Sequence, residues 1–298
     1  ELFDIADRVT VLRDGYYVGT KAITETSRED LIRMMVGRPI SDQYPKMVAS
    51  KADVILSVEN LAREGSFRDV NFELRRGEIL GFAGLVGAGR TDLANAIFGI
   101  NPASSGVIKL NGNPLSITSP QQAMKLGLAY VPEDRLQHGL VTEMNITNNI
   151  TLPRLDEFSK FGWVLNTRER KAAYQIANQM KVKANSIYQL TRELSGGNQQ
   201  KVVLGKWLST NPQVLILDEP TRGIDVGTKN SVHQLMSELA AEGMAIILIS
   251  SELPEIIGMS DRILVMREGY VTGEFSREQA TQEKILTAAT EDVRARTK

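Results

Sequence analysis

A short apolar segment that runs directly into a glycine-rich turn constrains the fold of this chain most. Residues 79–83 read ILGFA, which has the length and composition of a buried strand. Residues 84–91 read GLVGAGRT, and a helical pattern continues over residues 91–98. In this order of strand, turn and helix, backbone N–H groups and the positive end of the helix converge on one point, which binds anions such as phosphate. The sequence therefore predicts an α/β unit with a phosphate site.

The glycine turn departs from the common phosphate-binding pattern at one position. The pattern G-x-x-x-x-G-K-[ST] matches at Gly84, Gly89 and Thr91, but Arg90 replaces its lysine. The Thr91 hydroxyl is still expected to reach Mg²⁺. Because a planar guanidinium cannot simply replace a compact ammonium group, we expect Arg90 to position a γ-phosphate poorly.

Two further segments point to phosphate and cation chemistry. Residues 214–217 form an apolar strand pattern that ends in Asp218 and Glu219, and two adjacent carboxylates there are costly without a cation. Residues 194–200 read LSGGNQQ, in which Ser195 is expected to cap a helix over residues 196–208. Since glycine weakens a helix start, Gly196 and Gly197 indicate that something approaches the backbone closely there. The cap, the glycines and the helix terminus predict a second phosphate-facing surface.

The remaining pattern alternates strands and helices, which predicts a largely parallel sheet covered on both faces. Asn111-Gly112 predicts a hairpin, and Ser119-Pro120 predicts a helix start. Residues 136–195 look helical, without a strong strand. Further strands are predicted at 54–58, 70–74, 128–131, 245–249, 262–266 and 270–275, and helices at 167–180 and 226–241.

The glycine turn, the LSGGNQQ segment and the strand ending in Asp218-Glu219, in that order, resemble the ATPase subunits of ABC transporters from about Val54 onward. The resemblance implies an α/β fold: a P-loop (RecA-like) ABC ATPase core with an antiparallel β subdomain and an inserted helical subdomain. It implies ATP and Mg²⁺ as cofactors, Thr91 and Asp218 as magnesium ligands, and Glu219 as the general base. The implied nucleotide-binding residues are Gly84, Gly87, Ala88, Gly89, Arg90, Thr91, Asp92, Glu133, Ser195, Gly196, Gly197, Gln199, Asp225 and Ser251.

Three family positions carry unusual residues. Glu133 stands where the family usually has a glutamine, and Ser251 stands where it usually has a switch histidine. Residues 61–67 contain no tyrosine to stack on adenine, and Phe67 is expected in the core, with Arg63 a weak substitute. Each well-aimed transition-state group typically contributes about 10²–10³ in rate. We therefore predict that this nucleotide site hydrolyses ATP slowly or not at all, whereas the LSGG segment closes over ATP held by an opposite domain.

The chain also contains an internal repeat. Residues 7–16, DRVTVLRDGY, reappear as DRILVMREGY at 261–270, and the same offset of 254 (261 minus 7) pairs Gly19 with Gly273. We therefore expect residues 1–48 to be the tail of a first ABC domain plus a linker. Residues 49–298 are expected to form a second ABC domain, with its helical subdomain at about 136–209. The offset predicts that about 200 residues of the first domain (54 minus 254) precede Glu1.

Composition and charge exclude several classes of function. The net charge of −1 implies no positive electrostatic field that would attract nucleic acid. The absence of cysteine excludes disulfides and thiol chemistry, and no apolar run is long enough to span a bilayer.

The segments DEPTRGIDVG and ISSELPE, together with the repeat, resemble the second half of the tandem ATPase of monosaccharide importers, the ribose/galactose/xylose group. This implies permease subunits in the membrane, an extracellular or periplasmic sugar-binding protein, and a peripheral position on the cytoplasmic face of the inner (plasma) membrane.

Two alternatives remain open at this stage. One is a regulatory ABC half of the same importer that does not hydrolyse ATP. The other is a soluble tandem ABC protein acting on nucleic acid. A basic face or a zinc motif would favour that alternative, and this sequence lacks both.

His138 and His233 lie outside all motifs and are expected at the surface.

Overall fold

A six-stranded sheet forms the centre of the molecule in the computed structural model, which describes residues 5–13, 16–27, 30–31, 34, 44–47 and 53–290. The described strands are β1 Arg8–Arg13, β2 Tyr16–Ala22, β3 Val54–Arg63, β4 Phe67–Arg75, β5 Ile79–Gly84, β6 Ser105–Leu110, β7 Asn113–Leu115, β8 Leu128–Val131, β9 Ser159–Lys160, β10 Trp163–Val164, β11 Val214–Asp218, β12 Ala245–Ile249, β13 Arg262–Arg267 and β14 Tyr270–Ser276. The described α-helices are α1 Arg90–Ile97, α2 Pro120–Lys125, α3 Ile146–Thr151, α4 Asn166–Gln179, α5 Gly196–Leu208, α6 Val226–Ala241, α7 Leu253–Met259 and α8 Gln282–Thr290.

The central sheet has the order β14-β13-β5-β12-β11-β8, and every neighbouring pair is parallel except β13 with β14. Strands β8, β11 and β12 are buried at every residue, because their apolar runs are covered by packed helices. The predictions of strands at 128–131 and 245–249 and of a helix at 226–241 are confirmed without a change of bounds.

A second sheet, of order β4-β3-β6-β7, is wholly antiparallel. Asn111 and Gly112, at φ of 50° and 78°, form the predicted tight turn between β6 and β7. Ser119 accepts the Gln122 N–H and caps α2, as predicted. The two sheets confirm the α/β fold class with an antiparallel β subdomain.

The chain between β8 and β11 is mainly helical, and α3, α4 and α5 pack against one another there. This region also contains a small hairpin, β9–β10, that the sequence pattern did not reveal. Phe161 and Gly162 turn this hairpin with φ of 53° and 82°. In the described part of the chain, no helix combines the length and the apolar character that crossing a membrane requires.

The repeat seen in the sequence has a structural counterpart. Arg8 pairs with Ala22 in the β1–β2 hairpin, as Arg262 pairs with Ser276 in the β13–β14 hairpin, and each residue of the first pair lies 254 positions before its equivalent (262 minus 8, 276 minus 22). The register of the first hairpin shifts between Val11 and Leu12, and that of the second shifts at the equivalent positions. The two segments therefore have the same strand pairing and the same bulge.

Residues 44–47 lie against the main body of the molecule. The ring centroids of Tyr44 and His233 are 5.1 Å apart, and Lys46 Nζ contacts Asp261 Oδ2 at 2.7 Å. His233 is only 2% exposed, and its Nε2 lies 2.6 Å from Oε1 of the equally buried Glu255. The expectation that His233 lies at the surface is therefore wrong, because its ring completes a buried hydrogen-bond network. His138 is exposed, as expected.

Candidate functional site

The carboxyl ends of four parallel strands place most of the predicted site residues along one edge of the central sheet. The glycine turn follows β5, Asp218 ends β11, Ser251 lies just after β12, and Glu133 lies just after β8. Ligands of open α/β sheets bind at this edge. The structure thus brings together segments that lie up to 167 residues apart (251 minus 84) in the sequence.

The glycine turn has the backbone that an anion site requires. Gly84 leaves no room for a side chain, since a Cβ atom there would lie 2.3 Å from the Met266 carbonyl oxygen. Gly89 has a φ of 95° and stands immediately before α1. The N–H groups of Gly87 and Gly89 donate to no acceptor within the described residues, whereas that of Ala88 donates to the Leu85 carbonyl. The turn and the start of α1 can therefore hold phosphate oxygens.

The Arg90 side chain is held by a hydrogen bond within the protein. This side chain is buried, and its Nη1 donates to the carbonyl oxygen of Ser250 at 2.9 Å. Burial lowers the pKa of Arg90, and the charges of Glu219 and Asp218 offset part of that effect. The guanidinium thus links the glycine turn to the segment after β12 and partly neutralises the two carboxylates.

Asp218 and Glu219 occupy different surroundings. Asp218 is fully buried, and its Oδ2 accepts the Tyr130 hydroxyl at 3.1 Å. Burial raises the pKa of Asp218, while the nearby hydroxyls of Thr91 and Tyr130 and the charge of Arg90 lower it in part. Glu219 is half-buried at a φ of 48°. Burial also raises its pKa, against the hydrogen bond from Ser251.

Two of the three unusual family positions, Ser251 and Glu133, make side-chain bonds within the chain. The Ser251 hydroxyl donates to Glu219 Oε2 at 3.1 Å, so the predicted general base already has a partner. Glu133 pairs with Arg222 on the turn after β11. Phe67 is buried, as predicted, and Arg63 Nη1 lies 4.0 Å from Oδ1 of Asp92 at the first turn of α1.

The LSGG segment differs from the prediction in detail. Ser195 occupies the N-cap position of α5 but makes no capping bond, because its Oγ accepts Asn198 Nδ2 at 3.0 Å instead. The expected capping bond is therefore wrong, although Ser195 is exposed. Gln199, predicted to bind nucleotide, is 7% exposed, and its Nε2 donates to the Thr191 carbonyl at 3.1 Å. Its side chain is thus engaged within the protein rather than presented to a ligand.

The close backbone approach predicted at the glycine pair exists within the chain. A Cβ atom at Gly196 would lie 2.8 Å from Arg135 Nη2, and one at Gly197 would lie 2.5 Å from Thr228 Oγ1. Asp225 caps α6 by accepting the N–H and hydroxyl of Thr228 at 2.9 and 2.7 Å. These bonds lower the pKa of Asp225 although burial opposes them.

Sequence reasoning missed two residues that shape the site, Tyr130 and Arg135. Tyr130 stands opposite Ile216 in the β8–β11 register, two residues from Asp218 on the neighbouring strand. A correct pairing of these strands would have indicated the contact with Asp218. Arg135 has no local pattern signal, because its partners lie 64 to 88 residues away in the sequence.

The described part of the chain contains no preformed cage for a metal ion. Within the described ranges, no group of three or more histidine, cysteine, aspartate or glutamate side chains could hold one. The remaining candidates are Oδ1 of Asp218, which is buried without a hydrogen-bond partner in the described part of the chain, and the nearby Thr91 hydroxyl. This sparse donor set suits Mg²⁺, which is usually bound through one or two carboxylates plus substrate phosphates and water.

Comparisons with known proteins agree on one family. The family model described as ABC transporter matches residues 67–222. A putative ribose/galactose/methyl galactoside import ATP-binding protein of Hahella chejuensis is 50% identical over 290 residues, covering 97% of this chain and 56% of that protein. A ribose import ATP-binding protein of Rhodococcus jostii is 49% identical over 290 residues, covering 97% of this chain and 58% of its own length. The chain therefore spans little more than half the length of these relatives.

Solved structures share the fold at lower identity. A nucleotide-free ATP-binding cassette from an ABC transporter has a TM-score of 0.68 and 21% identity, covering 80% of this chain and 100% of that one. A dimeric ATP-binding cassette bound to ADP and Pi, in a post-hydrolysis state, has a TM-score of 0.65 and 21% identity, covering 75% and 99%. Below 25% identity this likeness establishes the fold alone.

Proposed function

The chain belongs to the ABC transporter family, and from that premise we propose that it is the second ATPase half of a tandem ATP-binding subunit of a monosaccharide importer. Identity of 49–50% to proteins named for ribose or galactose import supports the substrate class. The matching hairpins β1–β2 and β13–β14 support the tandem arrangement, in which residues 1–48 end a first ABC domain and residues 49–298 form the second. The extra length of the relatives is consistent with a preceding domain.

The proposed subunit works through an asymmetric pair of sites. Its own site, built on residues 84–92 with Asp218, Glu219, Asp225, Glu133 and Ser251, holds ATP but turns it over slowly. The segment at Ser195, Gly196 and Gly197, of which Ser195 is exposed, faces ATP held by the first domain and completes the faster site. The bond from Arg90 Nη1 to the Ser250 carbonyl carries this assignment, because a buried guanidinium held there is less free than a lysine ammonium to adjust to a γ-phosphate.

Two side chains of this site, those of Asp218 and Thr91, have oxygen atoms suited to Mg²⁺. Asp218 and Thr91 would hold the ion beside the phosphates, where a bound Mg²⁺ neutralises charge on the β- and γ-phosphoryl groups. Glu219 would orient water as general base, but its carboxylate is already paired with the Ser251 hydroxyl. A regulatory half that does not hydrolyse ATP is the second candidate, and this same pairing favours it.

The proposed partners follow from the family and from the named relatives. They are permease subunits in the membrane, an extracellular or periplasmic sugar-binding protein and the first ABC domain, with no nucleic acid. The subunit would lie peripherally on the cytoplasmic face of the membrane. A nucleic-acid role receives no support from a net charge of −1.

Binding and turnover of Mg·ATP by this chain alone, beside Arg90→Lys, test the proposal. We expect ATP to bind, with turnover about 100-fold below that of the complete tandem protein, because several transition-state groups are replaced. Arg90→Lys is expected to raise turnover less than about tenfold, since Glu133 and Ser251 remain. Turnover by the unmodified chain equal to that of the tandem protein would refute the assignment of a slow site.

A further inference from the structure

We infer that Arg135 is a positioning residue that joins the start of the LSGG helix α5 to the turn at 222–225, so that both surfaces move as one body. This inference deepens the proposed function and rests on it, because both segments are proposed to face the opposite ABC domain. Hydrogen bonds from the three nitrogens of one guanidinium carry the inference.

Arg135 lies two residues beyond Glu133 and donates in three directions. Its Nε donates to Oε1 of Gln199 on α5 at 3.4 Å. Its Nη1 donates to the Arg222 carbonyl at 2.9 Å, and its Nη2 donates to the Gly223 carbonyl at 3.2 Å. The planar guanidinium thus joins helix α5 to the turn at 222–225.

Hydrogen bonds of the preceding residue hold the backbone at Arg135 in place. The Asp134 carboxylate accepts the N–H groups of Leu136 and Gln137 at 2.9 and 3.0 Å and caps the turn that follows. These two bonds lower the pKa of Asp134. Arg135 therefore starts from a backbone that is held in place.

A second arginine crosses the same gap in the opposite direction. The Arg222 side chain pairs with the Glu133 carboxylate, while the Arg222 carbonyl accepts Arg135. Two arginines thus join the 133–135 turn to the 222–225 turn. Arg222 is exposed, so its ion pair is expected to contribute less than the half-buried Arg135.

Gly196 leaves space for the guanidinium. A Cβ at Gly196 would lie 2.8 Å from Arg135 Nη2, whereas one at Gly223 would lie at an ordinary contact distance of 3.5 Å from Nη1. Gln199 cannot turn away, since its amide nitrogen is bonded to the Thr191 carbonyl in the interior. The absence of a side chain at position 196 therefore lets the Arg135 guanidinium lie close beside the helix start.

Steady-state ATP turnover by the complete tandem protein tests this role. We expect Arg135→Gln to lower kcat about tenfold or more with KM for ATP changed less than twofold, because nucleotide still binds while the opposite surface is misplaced. The kcat of Arg135→Lys is expected to lie between those of the unmodified protein and Arg135→Gln, since a lysine reaches one acceptor but cannot bridge both segments. Arg170→Gln, at an exposed position on α4, is the matched control.

Hydrogen exchange in the same protein separates positioning from general stability. In Arg135→Gln, exchange is expected to quicken together at residues 196–199 and 222–225, with the amides of α6 beyond its first turn unchanged. Unchanged kcat, or faster exchange throughout the domain, would overturn the inference. A second variant separates this inference from the proposed function. If a charge placed at Ser195 left turnover unchanged, the proposed function itself would fail. The exchange pattern of Arg135→Gln would then decide the role of Arg135.

Discussion

Replacing Ser195 with aspartate is expected to lower ATP turnover by the complete tandem protein about 100-fold or more. Ser195 is exposed at the N-cap of α5, and among the described residues its hydroxyl is bonded only to Asn198. A carboxylate at this point would repel the phosphates of ATP held by the first domain, while the fold itself loses little. The measurement is steady-state turnover with a parallel thermal melt.

Ser186→Asp provides the matched control, because Ser186 is also exposed in the helical region but lies outside the LSGG segment. It is expected to retain turnover within about twofold of the unmodified protein. Gly197→Asp is a poorer test, since a Cβ at Gly197 would lie 2.5 Å from Thr228 Oγ1 and would disturb packing as well. Turnover by Ser195→Asp within threefold of the unmodified protein would contradict the role given to this surface.

Replacing His233 with leucine is expected to lower the free energy of unfolding by about 3–5 kcal/mol. His233 and Glu255 are 2% and 1% exposed, and Glu255 Oε1 also accepts the Thr221 hydroxyl at 2.8 Å. Burial alone would raise the pKa of Glu255, but the hydrogen bond and charge of His233 hold it below its usual value. Loss of His233 therefore leaves a buried carboxylate with too few partners. Urea unfolding measures the change.

The double variant His233→Leu with Glu255→Leu is the informative companion. Removing both partners leaves no uncompensated charge, so we expect it to regain at least half of the lost stability. A single-variant loss below about 1 kcal/mol would show that the pair contributes little more than an exposed ion pair.

The sequence predicted those parts of the fold that depend on local pattern. Strands β8 and β12 and helix α6 were found with correct bounds because their apolar runs and periodicity fall within one short window. The turn at Asn111-Gly112 was found because both residues tolerate positive φ. The position of the site at one edge of the central sheet was predictable as well, since the carboxyl ends of parallel strands lie at the same edge.

The errors at His233 and Arg135 concern contacts between distant segments, whereas the error at Ser195 concerns a local contact. His233 was expected at the surface, yet it lies on the buried face of α6 with Met236 and Ala240, and its partner Glu255 is 22 residues away. The helical spacing of these residues could have indicated burial, but not the ion-pair partner. The Ser195 cap failed because Asn198, three residues later, competes for the serine oxygen. Arg135 could not be found at all, because its role appears only when two distant turns meet.

Turnover by the complete tandem protein carrying Glu219→Gln, measured beside Ser195→Asp, tests the division of labour most directly. Glu219 is the predicted general base of this chain's own site, whereas Ser195 is proposed to serve the opposite ATP. We expect Glu219→Gln to keep at least about one third of the turnover and Ser195→Asp to lose nearly all of it, because the slow site contributes little to the total. The reverse ranking would show that the site holding Arg90 drives the protein, and the asymmetric account would be wrong.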